Sequence, residues 1–438
     1  MIFLLDIILG INLLWAYKTF KSVISPPVLL GLGMMLASIV ATSYYDKWEM
    51  DNMLLESAIV LGGGPLFFTL SCRLFTKKVE YKAIPFFEFQ AKNQKRLEIL
   101  LFLSIISCII CVILKYRIYV STFGSHLDFS YLMFMARNNI HTTEINIKIP
   151  SYINLILSFN GLISYFTCWY LSWLIIKKIR KIRLTFLLIL QFVCTAISGL
   201  SDGDKGHMLE PIFRFIIIYI LCFFCYKATN KLPSSLVRKL IIIAILIGIS
   251  FQGLNLFLGR YVSGSNIDML AEYCGAEIKN FDTYMHYPLK YRQDATIGGS
   301  TLYFLYHDDF KETKISSGKR YETINGFELG NVYTQYYSFH RDFGMVGVLI
   351  FSLVIASISM YFYNHATHSL FAKGKLSLCF FLYVMITLPL FMSFFSSNFT
   401  YRVFRTGFIR NIVIFYIFIW LFDKFIIKNI SKQRLNNE

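Results

Sequence analysis

Long apolar segments recur along the whole chain and constrain its fold more than any other feature of the sequence. A helix needs about 20 mostly apolar residues to cross a bilayer, and inside lipid it satisfies its own backbone hydrogen bonds. Windows of that kind predict eleven spans, which lie near 2–17, 26–44, 54–75, 97–118, 152–176, 184–200, 209–226, 240–258, 343–363, 376–395 and 408–426. We therefore predict an all-α polytopic membrane protein.

The division into spans also predicts the domain organisation. Eight helices fall in residues 1–258, a long polar loop follows at 259–342, and three helices with a tail complete the chain at 343–438. Connections of that length usually have a function of their own. We expect short helices and a compact cap in the loop.

Composition excludes several other classes of protein. Hydrophobic residues make up 56% of the chain and charged residues only 16%, which argues against a disordered chain, a small disulfide scaffold and an ordinary soluble enzyme. The formal net charge is +17, yet apolar runs such as 240–250 are foreign to nucleic-acid-binding domains. The surplus of basic residues therefore calls for another explanation.

The distribution of Lys and Arg predicts the orientation. Cytoplasmic loops retain these residues, and the segments that become cytoplasmic when the C-terminus is inside hold 23 of the 43. They are 18–25, 76–96, 177–183, 227–239, 364–375 and 424–438. Because those segments contain only three acids, they carry a net +20, and the remainder of the chain carries −3. The basic charge thus reports orientation, with the N-terminus outside.

Two features inside the spans are expected to be structural. Glu210 and Arg214 lie four residues apart, which predicts an ion pair on one helix face. The C-x-x-C pairs Cys108/Cys111 and Cys222/Cys225 lie in apolar runs, which predicts core packing in preference to redox or metal chemistry.

Cationic residues recur at the predicted outer boundary, where the positive-inside rule does not place them. They are Arg137, Lys205, Arg260, Arg341, Arg402 and Arg405. Guanidinium groups bind phosphate in a bidentate manner and stay charged, so such a ring suits a diphosphate whose lipid tail remains in the bilayer. The simpler alternative for any one of them is anchoring to lipid headgroups.

The segment from Gly330 to Gly347 is the most distinctive part of the sequence. It reads Gly-Asn-Val-Tyr-Thr and, after a polar aromatic stretch, His-Arg-Asp-Phe-Gly-x-x-Gly. Its hydroxyl and amide groups suit sugar binding, and its aromatic rings suit stacking on sugar faces; these candidates are Asn331, Tyr333, Thr334, Tyr336 and Tyr337. His340 and Asp342 are candidates for withdrawing a proton from a sugar hydroxyl.

This pattern, the span layout and the stretch from Phe404 to Asn411 (Phe-Arg-Thr-Gly-Phe-Ile-Arg-Asn) resemble the O-antigen polymerase family (Wzy, oligosaccharide repeat-unit polymerase). The likeness covers nearly the whole chain in topology and rests on a few short motifs at the residue level. Members often show Ser-Arg-Gly where this chain has Asp204-Lys-Gly206, so Lys205 would replace the arginine there.

The resemblance implies a membrane-embedded glycosyltransferase of the GT-C type in a bacterial inner membrane, with its site facing the periplasm. The growing chain on undecaprenyl diphosphate would be the donor, and the terminal sugar of a new lipid-linked unit would be the acceptor. A flippase and a chain-length regulator are implied as partners. The sugar diphosphate is already activated, so no cofactor is expected. No acidic metal-binding motif is evident in the sequence, since Asp308 and Asp309 form the only adjacent acid pair and such a pair is more typical of a solvated turn; we therefore predict catalysis without a metal.

Two other functions remain open on the sequence. An O-antigen ligase shares the donor and the large loop but transfers polymer to lipid A core; ligases usually carry His-Asn where this chain has Gly330-Asn331. A flippase or transporter of the same lipid-linked units would favour charges lining a midplane cavity, and the spans hold few charges.

Overall fold

The computed structural model describes residues 1–77, 91–124, 126–142, 147, 149–201, 205–257, 266–292, 296–302, 319–373 and 376–422. Helices dominate these residues: α1 (Ile2–Phe20), α2 (Pro26–Ser43), α3 (Leu55–Leu74), α4 (Ala91–Phe123), α5 (Phe129–Thr142), α6 (Ser151–Lys177), α7 (Ile182–Leu200), α8 (Lys205–Lys227), α9 (Ser234–Phe257), α10 (Asn266–Cys274), α11 (Ala276–His286), α12 (Pro288–Arg292), α13 (Gln335–Lys373), α14 (Leu378–Phe391), α15 (Asn398–Val403) and α16 (Thr406–Phe422). Short 3-10 turns at Met50–Asn52 and Met392–Phe394 complete the helical elements described.

Eight of the helices in the described part of the chain are long and apolar enough to cross a membrane: α1, α2, α3, α4, α6, α7, α8 and α13. Shorter apolar helices at Leu378–Phe394 and Thr406–Leu421 cover two more predicted spans, and α9 covers most of the predicted span at 240–258. The protein is thus an all-α, multi-pass membrane protein, as predicted. The count of eleven stays a prediction.

The structure adds two elements that the sequence analysis left as loop. The segment that contains Arg137 forms helix α5. A two-stranded antiparallel hairpin, β1 (Glu322–Ile324) and β2 (Phe327–Gly330), lies within the long loop. Asn325 and Gly326 connect its strands with positive φ angles of 48° and 82°, the backbone that a two-residue hairpin turn requires.

The chain forms two compact units that are discontinuous in sequence, and each is described by itself. The first comprises residues 1–80, 264–370 and 379–412, and the second comprises residues 81–263, 371–378 and 413–438. These units differ from the predicted domains because the long loop packs with helices from both ends of the chain.

In the first unit, α1 packs against α2 and α3. Asp6, a charge within a span, accepts hydrogen bonds from the Ser38 hydroxyl at 2.6 Å and the Thr42 hydroxyl at 2.7 Å. Both donors lie one helical turn apart on α2, so the two helices are joined by a polar contact where lipid offers none. The carboxylate is thereby satisfied without a substrate.

The described parts of the long loop, residues 266–292, 296–302 and 319–334, form what we call the loop cap. It includes α10, α11, α12 and the hairpin, which confirms the expectation of short helices there. The Asn280 side chain on α11 donates to the carbonyl oxygens of Leu329 at 3.1 Å and Val332 at 2.8 Å, joining the helix to the hairpin strand. Lys279 donates to the carbonyl of Glu49 at 2.9 Å, so α11 also holds the connection between α2 and α3.

The second unit contains a bundle of α4, α6, α7 and α8. Arg214 Nη2 lies 3.0 Å from Glu210 Oε1, which confirms the predicted ion pair. The four cysteines of the C-x-x-C pairs are buried, as expected for core residues. Asn160 and Gln191 add polar contacts inside the bundle, where Gln191 donates to the Asn160 carbonyl at 3.2 Å.

Helix α13 is broken at Gly344, where φ is 63° and ψ is −156°. The bend is sharp, since the rings of Phe339 and Phe351 stack with their centroids 5.1 Å apart. A straight helix would separate these two residues by about 18 Å along its axis. Gly347 allows the close approach, since a Cβ there would lie 2.5 Å from the Phe339 carbonyl oxygen. The break divides a short segment, 335–343, from the long helix that follows.

Candidate functional site

A cavity of about 420 Å³ lies at the break in α13, within the first unit. Two arginines, one carboxylate and the loop before α13 form its walls; the lining residues are Arg292, Thr296, Ile297, Arg341, Asp342, Phe343 and Gly344. The long helical segment that resumes after Gly344 begins at this cavity, and the first turn of a helix favours anions.

Arg341 is buried at the cavity, with 4% of its surface exposed. Its Nε donates to Asp342 Oδ1 at 2.8 Å, and its Nη2 contacts the same oxygen and the Thr296 carbonyl. Its Nη1 is buried with no hydrogen-bond partner among the described residues. A buried guanidinium donor without an acceptor is costly, so this nitrogen requires an acceptor that the described residues do not supply.

Asp342 has both carboxylate oxygens engaged. Oδ1 takes the Arg341 contacts, and Oδ2 accepts from the backbone amides of Ser300 at 3.1 Å and Thr301 at 2.7 Å. The side chain therefore fastens the loop at 296–302 to α13 and orients Arg341. Its predicted role in activating a hydroxyl stays a prediction, while its contacts here are structural.

Two further cations are close to Arg341. Arg292, at the end of α12, is exposed and lines the cavity. Desolvation and then the charge of Arg341 lower the pKa of Lys319 to about 8. The loop cap thus brings Arg292 to the cavity beside Arg341, although 49 residues separate the two arginines in the sequence, and it holds Lys319 within the electrostatic influence of Arg341.

His340 lies beside this group. Its Nδ1 is 3.0 Å from the hydroxyl oxygen of Tyr284 on α11, and Tyr284 is fully buried. Burial raises the pKa of Tyr284, and the charge and hydrogen bonding of Arg292 partly oppose that increase. His340 is half-buried, so part of its ring faces away from the tyrosine.

The tyrosines predicted to bind sugar are buried in the structure, and their role in binding sugar stays a prediction. Tyr333, Tyr336 and Tyr337 are all fully buried, and the rings of Tyr333 and Tyr337 stack with centroids 4.3 Å apart. Tyr291 donates to Glu322, and Tyr333 donates to the same carboxylate at 3.2 Å. In this structure the rings form the aromatic core that joins the loop cap to α13.

Of the remaining sugar-binding predictions, Thr334 is buried with its hydroxyl unpartnered among the described residues, and Asn331 is exposed at the end of the hairpin. Neither lines the cavity. Their roles stay predictions.

Of the predicted cationic residues, Arg341 is the one that the described residues bring to the cavity lining. Arg402 on α15 is half-buried, and Arg405 is exposed with its guanidinium 4.9 Å from the centroid of the Tyr401 ring. Arg137 lies on α5 of the second unit. Arg260 and the side chain of Lys205 lie outside the described residues, as do Asp308 and Asp309.

The sequence analysis did not single out Arg292, Tyr284 or Lys319. Their signal was weak because none of them lies in the motif at 330–347. The loop at 259–342 contains 11 of the 28 tyrosines, which indicates an aromatic core within it. Within the described residues, no group of three or more His, Cys, Asp and Glu residues is placed to hold a metal ion.

Comparisons with family models, with curated proteins and with solved structures found no match to this chain.

Proposed function

We propose that the protein is a polymerase that joins undecaprenyl-diphosphate-linked oligosaccharide repeat units to build O-antigen or a similar surface polysaccharide. The observation that carries the proposal is the buried Arg341, whose Nη1 lacks a partner among the described residues beside the exposed Arg292 in one cavity. Two guanidiniums with a free donor suit a diphosphate better than a neutral sugar. The membrane helix that begins at the cavity suits a ligand whose tail stays in lipid.

In the proposed reaction, a hydroxyl of the acceptor sugar attacks the anomeric carbon of the donor chain. A new glycosidic C–O bond forms and the bond to the diphosphate oxygen breaks. The products are the lengthened chain and undecaprenyl diphosphate, which keeps the bonding electron pair and, in net balance, the hydroxyl proton. Arg292 and Arg341 stabilise the negative charge that grows on the diphosphate, as preorganised cations do in other transferases.

The membrane placement belongs to the same proposal. Eleven spans follow from the apolar segments, and an outer N-terminus and a cytoplasmic C-terminus follow from the distribution of Lys and Arg. The family resemblance implies that the outer side, which carries the site, is the periplasm. A GT-C-like architecture, metal-independent catalysis, an inner-membrane location, and a flippase and chain-length regulator as partners follow from the family resemblance.

The test uses the full-length protein, purified in detergent and incubated with lipid-linked repeat units in the presence of EDTA. A ladder of products on a gel is expected. A single transfer to added lipid A core would indicate the ligase, and transport into proteoliposomes without a ladder would indicate the flippase.

The variant Arg292→Ala, compared with a neighbouring control, tests whether this cavity binds the diphosphate. Arg292 is exposed, so its removal should leave the fold intact and reduce the ladder by about a hundredfold or more. Lys290→Ala is the control, since Lys290 lies on the same short helix, is exposed and does not line the cavity. An unchanged ladder in Arg292→Ala would overturn the assignment of this cavity.

A further inference from the structure

The contact between Tyr284 and His340 determines which ring nitrogen of His340 carries a hydrogen. A neutral imidazole has one N–H and one acceptor nitrogen, and the hydrogen bond at one nitrogen selects the tautomer. The hydroxyl oxygen of Tyr284 lies 3.0 Å from Nδ1. The direction of that hydrogen bond is therefore the question.

The burial of the Tyr284 hydroxyl answers it. Within the described residues, the hydrogen-bond contact of this hydroxyl is His340 Nδ1, and a buried O–H that donates to no acceptor is costly. The tyrosine therefore directs its hydrogen to an acceptor. Among the described residues, the acceptor within reach is His340 Nδ1, because both oxygens of nearby Asp342 are already engaged.

The other side of the imidazole is available to a ligand. Tyr284 is fully buried, whereas His340 is half-buried. In the part of the chain that the structure describes, the ring nitrogens of His340 make their hydrogen bond through Nδ1 alone. Among these residues, Nε2 has no hydrogen-bond partner, and the side chain that carries it is partly exposed.

We propose that Tyr284 is a positioning residue that holds His340 as the neutral tautomer with hydrogen on Nε2, so that His340 donates a hydrogen bond to an anionic ligand and does not act as the base. The inference rests on the proposed function for the identity of that ligand, a lipid-linked sugar diphosphate. It reverses the role that the sequence suggested for His340, because a nitrogen that already carries hydrogen cannot take a proton from the acceptor hydroxyl.

Two amide substitutions separate a donor from a base. In His340→Gln the side-chain amide nitrogen can occupy the place of Nε2 and still donate, while in His340→Asn it reaches only the place of Nδ1. We expect His340→Gln to keep polymer formation within about tenfold of wild type, and His340→Asn and His340→Ala to lose about a hundredfold or more. Equal loss in all three variants would overturn the donor role.

A spectroscopic measurement tests the tautomer without any assay of activity. The full chain, labelled with ¹⁵N-histidine in detergent, is compared with His340→Gln to identify the His340 signals. The wild type should show the Nε2–H tautomer, and Tyr284→Phe should shift it toward the Nδ1–H tautomer. Tyr321→Phe is the control, since that hydroxyl bonds to Glu328 on the hairpin, 2.8 Å away.

The outcomes distinguish this inference from the proposed function. An Nδ1–H tautomer in the wild type would overturn the inference whatever the protein synthesises. The Nε2–H tautomer in a protein that makes no polymer from lipid-linked units would support the positioning role of Tyr284 and overturn the proposed function.

Discussion

Asp282 of the loop cap lies 2.6 Å from the hydroxyl of Ser57 at the start of α3, and the same carboxylate oxygen accepts the backbone amide of Leu54 at 3.0 Å. The side chain of Asp282 is fully buried. An acid from the loop thus caps the first turn of a membrane helix, 225 residues away in the sequence.

Asp282→Ala should therefore lower stability by about 2 to 4 kcal/mol, because the buried Ser57 hydroxyl and the partly buried Leu54 amide lose their acceptor. Thermal unfolding of the detergent-solubilised protein measures the effect. Asp51→Ala is the control, since Asp51 is exposed in the neighbouring connection and should change stability by less than about 0.5 kcal/mol. Equal effects of the two substitutions would show that Asp282 does not stabilise the first turn of α3.

Gly344→Ala should distort the cavity through the backbone alone. Its φ of 63° with ψ of −156° is a conformation that L-residues avoid, yet an added Cβ would meet no atom within 4 Å. We expect a loss of about 1 to 3 kcal/mol and reduced polymer formation. Gly63→Ala, also with open space for a Cβ but within a regular helix, should be neutral or slightly stabilising. Wild-type stability and activity in Gly344→Ala would refute the role given to the helix break.

Lys319 makes anion binding at the cavity depend on pH. Its pKa is lowered to about 8, so the ammonium form that attracts an anion is lost as the pH rises through that value. Pyrophosphate affinity, measured by calorimetry, should weaken by about tenfold from pH 7 to pH 9 relative to Lys319→Arg, which stays charged. Identical pH profiles in the two proteins would exclude Lys319 from the site.

Glu272 on α10 should make the loop cap less stable at higher pH. Burial, followed by the negative charge of Glu328, raises the pKa of Glu272 to about 7. Since the folded state holds this proton more tightly than the unfolded state, stability falls as the pH rises from about 4.5 to 7. At pH 8, Glu272→Gln should raise the free energy of unfolding by about 1 kcal/mol, which is measured as a higher melting temperature. At pH 4.5 the substitution should have little effect. A benefit that is equal at both values would contradict the shift.

Much of the fold was accessible from the sequence because its signals are local. Helix-length apolar runs give the class of protein, and the spacing of Glu210 and Arg214 correctly predicted their ion pair. The Asn325-Gly326 turn was also a local signal, and its hairpin was missed because the loop was expected to be helical.

The candidate site depended on contacts that no local pattern reveals. The motif identified Arg341, but only the folded loop places Arg292 and Lys319 near it. The same loop donates the amides of Ser300 and Thr301 to Asp342 Oδ2. The tyrosines predicted to face sugar are buried, because packing of the loop cap on α13 surrounds them with other rings. The sequence by itself determined where apolar helices form, since that follows from whether each segment prefers lipid or water. Tertiary structure decided which polar groups are left without a hydrogen-bond partner, since that depends on residues distant along the chain.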